Sequence, residues 1–201
     1  MAKIAISINE VLRSFIEQFV YTYEKYVKDI NITEGDVTSL DLIKFFEFED
    51  VNQLNTFLYK EAPLEIFGHA DVTSNGLMIH FNRFLMEMKD ENEHEIELVS
   101  REVDKSIPAT FFFLSKTACL IDKIRFVRNY EDEWGDADVL ITANPYSLSN
   151  KPKGKISIKI NSSYNKDVNG DYELNSLIEF INDEDNRNKI LNTKLATYEE
   201  L

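Results

Sequence analysis

The 201-residue sequence predicts an α/β fold built on a mainly parallel sheet. Three observations carry that expectation. Short runs rich in Ile, Val and Leu recur along the chain and are bounded by turn-forming residues. Segments with helical spacing separate them. One run, "ADVLIT" at 137–142, is apolar on both sides, as a strand covered on both faces of a parallel sheet must be.

The elements follow in order. "KIAISI" at 3–8 is a strand. Residues 11–28 predict a helix, because Val11, Leu12, Phe15, Phe19, Val20 and Tyr23 make one apolar face. "NITEGD" at 31–36 is a loop by composition. The stretch 38–90 is aromatic, acidic and helix-patterned, with Ser39 as a cap and Pro63 and Gly76 as breakers. Its expected core is Phe45, Phe46, Phe57, Phe81 and Phe84, with a protein-binding face as the competing use of these aromatics. "HEIELVS" returns to strand. "IPATFFFLSKTACL" is a helix with Pro108 in its first turn, where proline is tolerated. "KIRFV", "ADVLIT" and "GKISIKI" complete the strands, and right-handed crossovers place helices on both faces. The tail, 171–194, predicts an amphipathic helix that covers an edge or meets a partner. The expected organisation is a core of 1–30 plus 93–170, an inserted helical cap module at 31–92, and a C-terminal helix and tail at 171–201.

Composition narrows the function. Hydrophobic residues make up 43%, enough for a real core. The formal net charge of −14 disfavours binding to nucleic acid or anionic lipid. The densest basic run, "KPKGK" at 151–155, reads as a solvated turn. Cys119 is the one cysteine, which excludes an internal disulfide and a cysteine zinc site; in "FFFLSKTACL" it reads as a packed thiol in a buried helix. The N-terminus lacks a signal-peptide pattern and no apolar run has membrane-spanning length, so a soluble chain made in a reducing cytoplasm is expected. His69, His80 and His94 lack metal-ligand spacing, and His80 reads as a packed or interface residue. "EDEWGDAD" at 131–138 and "KDVNGD" at 166–171 lack calcium-loop spacing and read as a solvated turn and an Asn-Gly turn. "NEHEIE" at 92–97 reads as a charged strand entry. Neither metal nor cofactor is expected.

The order of pieces, from Lys3 to about Tyr164, resembles the haloacid-dehalogenase-like (HAD) superfamily and its deoxyribonucleotidase-like branch. Members end their first strand in two aspartates one residue apart, a nucleophile and a general acid/base. In "ISINEVL" those positions match Ser7 and Asn9, with Glu10 where glycine is usual. Ser100 in "ELVSREV" matches the Thr or Ser that ends the second strand. The lysine expected before the fourth strand is missing from "RNYEDEWGDADVLI", where Arg128 is the nearest basic residue. Thr142 and Ala143 in "DVLITANP" stand where acidic magnesium ligands belong. Aspartyl-phosphate chemistry needs a carboxylate nucleophile and an oxygen-ligated magnesium. Asparagine cannot take a proton, and the motif places no base beside Ser7. The resemblance thus implies a scaffold without catalytic residues, Ser7, Asn9, Ser100, Thr142 and Ala143 marking a degenerate site.

The combination "INEVLRSFIEQF", "EIFGHAD", "SREVDKSIPATFFFLSK" and "DVLITANP…KPKGKISIKINSSYN" also resembles a virion protein family of crAss-like bacteriophages. That resemblance implies a non-enzymatic structural subunit of the virion tail or neck, made in the host cytoplasm. It would form a homo-oligomeric ring, expected to be dodecameric, in the barrel below the portal. Its partners would be itself and other tail and portal proteins, with genomic DNA passing through the channel without specific binding. The alternatives are a divergent nucleotidase or phosphatase acting through Ser7, and an inactive nucleotide-binding or regulatory module.

Overall fold

The structure is a computed structural model that describes residues 2–90 and 94–199. Among these residues six strands form one parallel sheet in the order β3-β2-β1-β4-β5-β6. They are β1 (Ala2–Ser7), β2 (His94–Arg101), β3 (Ile124–Val127), β4 (Val139–Thr142), β5 (Ile156–Ile160) and β6 (Tyr172–Leu174). β1 is central, pairing Ile4 with Ile96 of β2 on one side and with Val139 of β4 on the other. The helices are α1 (Phe15–Tyr26), α2 (Val51–Thr56), α3 (Leu77–Asp90), α4 (Ser106–Lys116), α5 (Pro145–Ser149), α6 (Leu177–Asn182) and α7 (Glu184–Glu199). The fold class expected from the sequence is the one observed. The cap boundary expected at 92–93, and the start of "NEHEIE", lie outside the described residues, as do the last two residues of the tail.

Strand alternation separates the two faces of the sheet. Ile4, Ile6, Leu98, Val139, Ile141, Ile158 and Ile160 point into the main core, which α1, α3, α4, α6 and the inserted segment complete. Ala5, Val99, Val127 and Leu140 point the other way, into a small cluster closed by Trp134 and Ala137. The remainder of that second face carries charge pairs, Arg125 with Glu97 at 2.8 Å and Lys155 with Asp138 at 3.6 Å. The expected cover of helices on both faces is therefore unequal, because polar residues alternate with the apolar ones on that face.

Several local expectations are corrected. The first helix starts at Phe15, not at residue 11. Glu10 adopts φ +60°, the left-handed region that side chains enter at a cost, and the chain turns through Val11 and Leu12 before the helix begins. Val11 and Leu12 are buried all the same, so their apolar character reflects core contact and not helical phase. α2 is capped by Asp50, whose side chain accepts from Asn52 N and Gln53 N, and Ser39 instead accepts from Asp41 N ahead of a short 3-10 turn. The chain then widens into two turns closed by i→i+5 bonds, Ala62 N to Phe57 O and His69 N to Leu64 O. Phe46, Phe57, Phe81 and Phe84 are buried as expected, whereas Phe45 is half-buried. Cys119 lies beyond the end of α4 and is half-buried. The single tail helix is two helices broken at Asp183, and Phe180 of the first packs edge-on against Phe84 of α3 at 6.0 Å. β6 is an additional edge strand. Gly170 precedes it because a Cβ there would meet Tyr172 O at 2.7 Å and Lys159 Cβ at 2.8 Å.

Candidate functional site

In an open parallel sheet the strand order reverses at one point, and the crevice outside the carboxyl ends there is the natural ligand site. Here the reversal lies between β1 and β4. A cavity of about 380 Å³ opens there, between the strand ends and the inserted segment. Ser7, Asn9, Ser100, Thr142 and Asn144 contribute to its lining from the core, and Leu40, Ile43, Leu58 and Tyr59 from the insert.

The cavity gathers four of the five residues singled out from the sequence. Ser7, at the end of β1, donates its hydroxyl toward Thr142 Oγ1 at 2.8 Å and Glu133 Oε2 at 3.2 Å. Thr142, at the end of β4, donates to Glu133 Oε2 at 3.4 Å. Ser147 donates to the same oxygen at 2.7 Å, and Asn144 Nδ2 donates to Oε1 at 3.2 Å. Glu133 is therefore a buried carboxyl ringed by four side-chain donors. Burial pushes its pKa up, and the hydrogen bonds from Ser147, Asn144, Ser7 and Thr142 act against that rise.

Glu133 is the residue of this site that sequence reasoning missed. "EDEWGDAD" reads as a solvated turn, and Glu131, Asp132 and Asp136 are exposed. Trp134 is buried, and its indole N–H donates to Ser147 O at 2.8 Å, which fastens the 3-10 turn Tyr130–Glu133 to α5 and carries Glu133 inward. The one aromatic in the acidic run was the available signal. The motif itself places no base beside Ser7; the carboxyl that stands 3.2 Å away comes from this acidic run, outside the motif.

Asn9 is held elsewhere. Its Oδ1 accepts from Arg13 Nε at 3.0 Å and from Nη2, so the amide faces a guanidinium that is itself fully buried. Ser100 donates to Glu102 Oε1 at 2.7 Å. Ala143 is buried outside the cavity lining, and its carbonyl accepts from Asn165 Nδ2 at 2.9 Å.

These residues do not fit magnesium. The ion requires near-octahedral oxygen ligands, usually with carboxylates among them. Ser7 and Thr142 bond to one another, Asn9 is turned to Arg13, and Glu133 is saturated by donors. Among the described residues no group of three or more His, Cys, Asp or Glu could hold a metal ion. His80, whose Nδ1 lies 3.1 Å from Asn182 Oδ1, and Cys119 are both outside the cavity lining.

The upper walls are aromatic. Tyr59, Tyr130, Tyr146 and Tyr164 line the cavity. Burial pushes the Tyr59 hydroxyl up to about 12 and raises Tyr130 and Tyr164 as well, so these groups stay neutral hydrogen-bonding phenols. Tyr130 and Tyr146 stack at 5.2 Å, and the Arg101 guanidinium lies 4.5 Å from the Tyr130 ring.

No protein-family model matches the sequence, and no curated protein sequence matches it. Solved structures do. One is a dehalogenase crystallised with an intermediate complex, with TM-score 0.51 and 12% identity over 89% of this chain and 95% of that one. Another crystal structure of a dehalogenase gives TM-score 0.50 and 9% identity over the same shares. At such identity the likeness speaks to architecture alone. The chain has an α/β Rossmannoid fold of the HAD-like type, with a parallel sheet flanked by helices and an inserted helical segment.

Proposed function

We propose that the chain is a non-catalytic HAD-like structural subunit, assembling with copies of itself into a ring in the tail or neck barrel of a bacteriophage virion. The observation that carries the non-catalytic reading is at the end of β1. The hydroxyl at the nucleophile position is tied to Thr142 and Glu133, and the amide at the acid/base position is tied to Arg13. A fold whose reactive positions are used as internal fastenings is suited to assembly. Exposed apolar groups support self-association: Tyr26, Leu64, Phe111 and Phe112 are all solvent-facing. Leu64 and Phe112 both approach Gly68, and Tyr26 reaches Glu65 at 3.4 Å, so these groups sit near one another. The virion assignment rests on the sequence resemblance. Quantitative mass spectrometry of purified particles tests it, with copy number taken relative to the portal protein. A whole-ring ratio is expected, and absence from the particle would overturn the proposal.

One observation favours a second reading. A buried carboxyl of raised pKa stands 3.2 Å from the Ser7 hydroxyl, the spacing of a general base and its nucleophile. A Ser7-dependent phosphatase or nucleotidase would lose turnover of 4-nitrophenyl phosphate in both Ser7→Ala and Glu133→Gln. The structural reading expects no turnover in the unaltered chain.

A further inference from the structure

We propose that the cavity above the strand ends and a second one beside it form a binding site for a small aromatic anion. The ligand is a planar ring bearing a carboxylate, sulfonate or phosphate. Its ring lies inward against the tyrosines and its anionic group lies outward at Arg101, Arg128 and Lys60. The second cavity is about 350 Å³ and shares Asn55, Tyr59 and Arg101 with the first. Together they have the size and the mixed apolar and polar walls of a small-molecule site.

The charge distribution sets the orientation. Glu133 closes the floor, so an anion placed there would meet a carboxyl and find its donors already taken. The outer cavity is the reverse. Arg101, Arg128 and Lys60 line it, with Asp104 as the lone acid of that lining. None of the three cations has a carboxylate partner among the described residues, although the chain as a whole carries −14. Arg101 is half-buried and uses Nε on Arg128 O at 2.9 Å and Nη1 on the Tyr130 hydroxyl at 3.3 Å. A guanidinium has five N–H groups in a fixed fork, so donors remain for a carboxylate or phosphoryl group. Lys44, in the lining of the first cavity, is already paired with Asp41 at 3.3 Å.

The ring requirement comes from the walls. Arg101 lies over Tyr130, Tyr130 stacks on Tyr146 with an interplanar angle of 14°, and Tyr146 keeps 46% of its surface exposed. Tyr59 lines both cavities, so a planar ring held against it lies directly beside the mouth formed by Arg101, Arg128 and Lys60. This site does not depend on ring assembly, and it places the anion away from Ser7 and Thr142, where a phosphatase would hold it.

Calorimetric titration of the full chain tests the site with four probes: 4-nitrobenzoate, 4-nitrophenyl phosphate, uncharged 4-nitrobenzyl alcohol and inorganic phosphate. The two ring anions are expected to bind, more tightly at low salt. The alcohol and bare phosphate are expected to bind at least about tenfold more weakly, the loss of about one charge-assisted contact. Arg101→Gln and Arg128→Gln should each weaken the ring anions by about tenfold or more, while Lys28→Gln, the same charge change at an exposed pair with Glu47, should not. Arg128 is exposed, so its variant decides the matter even if Arg101→Gln fails to fold. Equal binding of the alcohol, equal binding of bare phosphate, indifference to Arg128→Gln, or no heat from any probe at millimolar concentration would each overturn the proposal. Particle composition is read separately, so a failed titration leaves the assembly reading standing, and the reverse holds too.

Discussion

The guanidinium of Arg13 and the carboxylate of Glu102 form an ion pair with no exposed surface on either side chain. Arg13 also donates to Phe67 O at 3.0 Å and Thr110 Oγ1 at 2.7 Å, and lies over the rings of Phe67 and Phe113. Glu102 accepts from Ser100 and from Thr110. The pair thus fastens four segments: the turn after β1, the inserted segment, the residue following β2, and α4. Removing one partner strands the other charge, which costs about 3–5 kcal/mol, whereas replacing both by apolar groups of similar size is far less harmful. Glu102→Ala is therefore expected to lower unfolding free energy by that amount in urea titration. The double variant Arg13→Met with Glu102→Leu should recover part of it, because it removes the stranded charge but leaves Phe67 O and the Ser100 and Thr110 hydroxyls without these partners. A single variant costing under about 1 kcal/mol would show that the pair does not hold these segments together.

The sheet was legible in the sequence because its strands are apolar runs, and "VLIT" buried on both faces announces itself. β6 was not, since "YEL" is a three-residue edge strand with an exposed centre and no apolar run. The start of α1 was misplaced because Val11 and Leu12 are apolar at helical spacing, while the left-handed Glu10 forces a turn that spacing does not encode. The motif positions Ser7, Asn9, Ser100 and Thr142 were readable, but their partners were not. Arg13 and Glu133 are charged residues, one amid apolar neighbours and one in an acidic run, and their burial is set by tertiary hydrogen bonding that the local sequence does not show. The basic mouth is invisible for the same reason: Lys60, Arg101 and Arg128 stand far apart in the chain and meet only in the fold.

Glu133 joins the ends of β1 and β4 to α5 through Ser7, Thr142 and Ser147. Glu133→Ala removes the common acceptor of three hydroxyls and of the Asn144 amide. Buried donors left unpaired cost about 1–3 kcal/mol each, and re-pairing among the hydroxyls recovers part of that. A loss of about 2–4 kcal/mol in urea unfolding is expected. Glu133→Gln keeps the shape and one acceptor and should cost less than Ala. The reverse order would show that the carboxyl is not acting as the hub.

Asn165 ties the ends of β4 and β5. Its Nδ2 donates to Ala143 O at 2.9 Å and Ile160 O at 2.8 Å, and its Oδ1 accepts from Ser162 N at 3.0 Å. Asn165→Leu matches the volume and leaves two carbonyls and one N–H without this partner. A destabilisation of about 2–4 kcal/mol is expected, given about 1–3 for each buried group stranded. Amide hydrogen exchange should show faster exchange at Ser162 than in the unaltered chain. Unchanged protection there would mean that water or another group substitutes for the side chain.

Glu10 predicts a pH dependence whose sign can be worked out. Burial pushes its carboxyl up from 4.5 to about 7; the nearby Glu34 adds to the rise, and hydrogen bonds from Ile16 and Phe15 N together with the Arg13 charge oppose it. The Ile16 bond is short, 2.7 Å, and positions Glu10 at the start of α1. The folded state therefore holds the proton more tightly than the unfolded state. The protonated carboxyl's contribution is fully present below pH 4.5 and is lost as pH rises through about 7. The residue keeps partial exposure, which limits the effect to at most about 2 kcal/mol. Glu10→Gln holds the neutral form at every pH. Unfolding free energies of the two proteins should run parallel below pH 4.5 and separate in favour of Gln between pH 4.5 and about 7. Parallel curves across that whole window would mean that the carboxyl ionises in the fold as readily as in the unfolded chain.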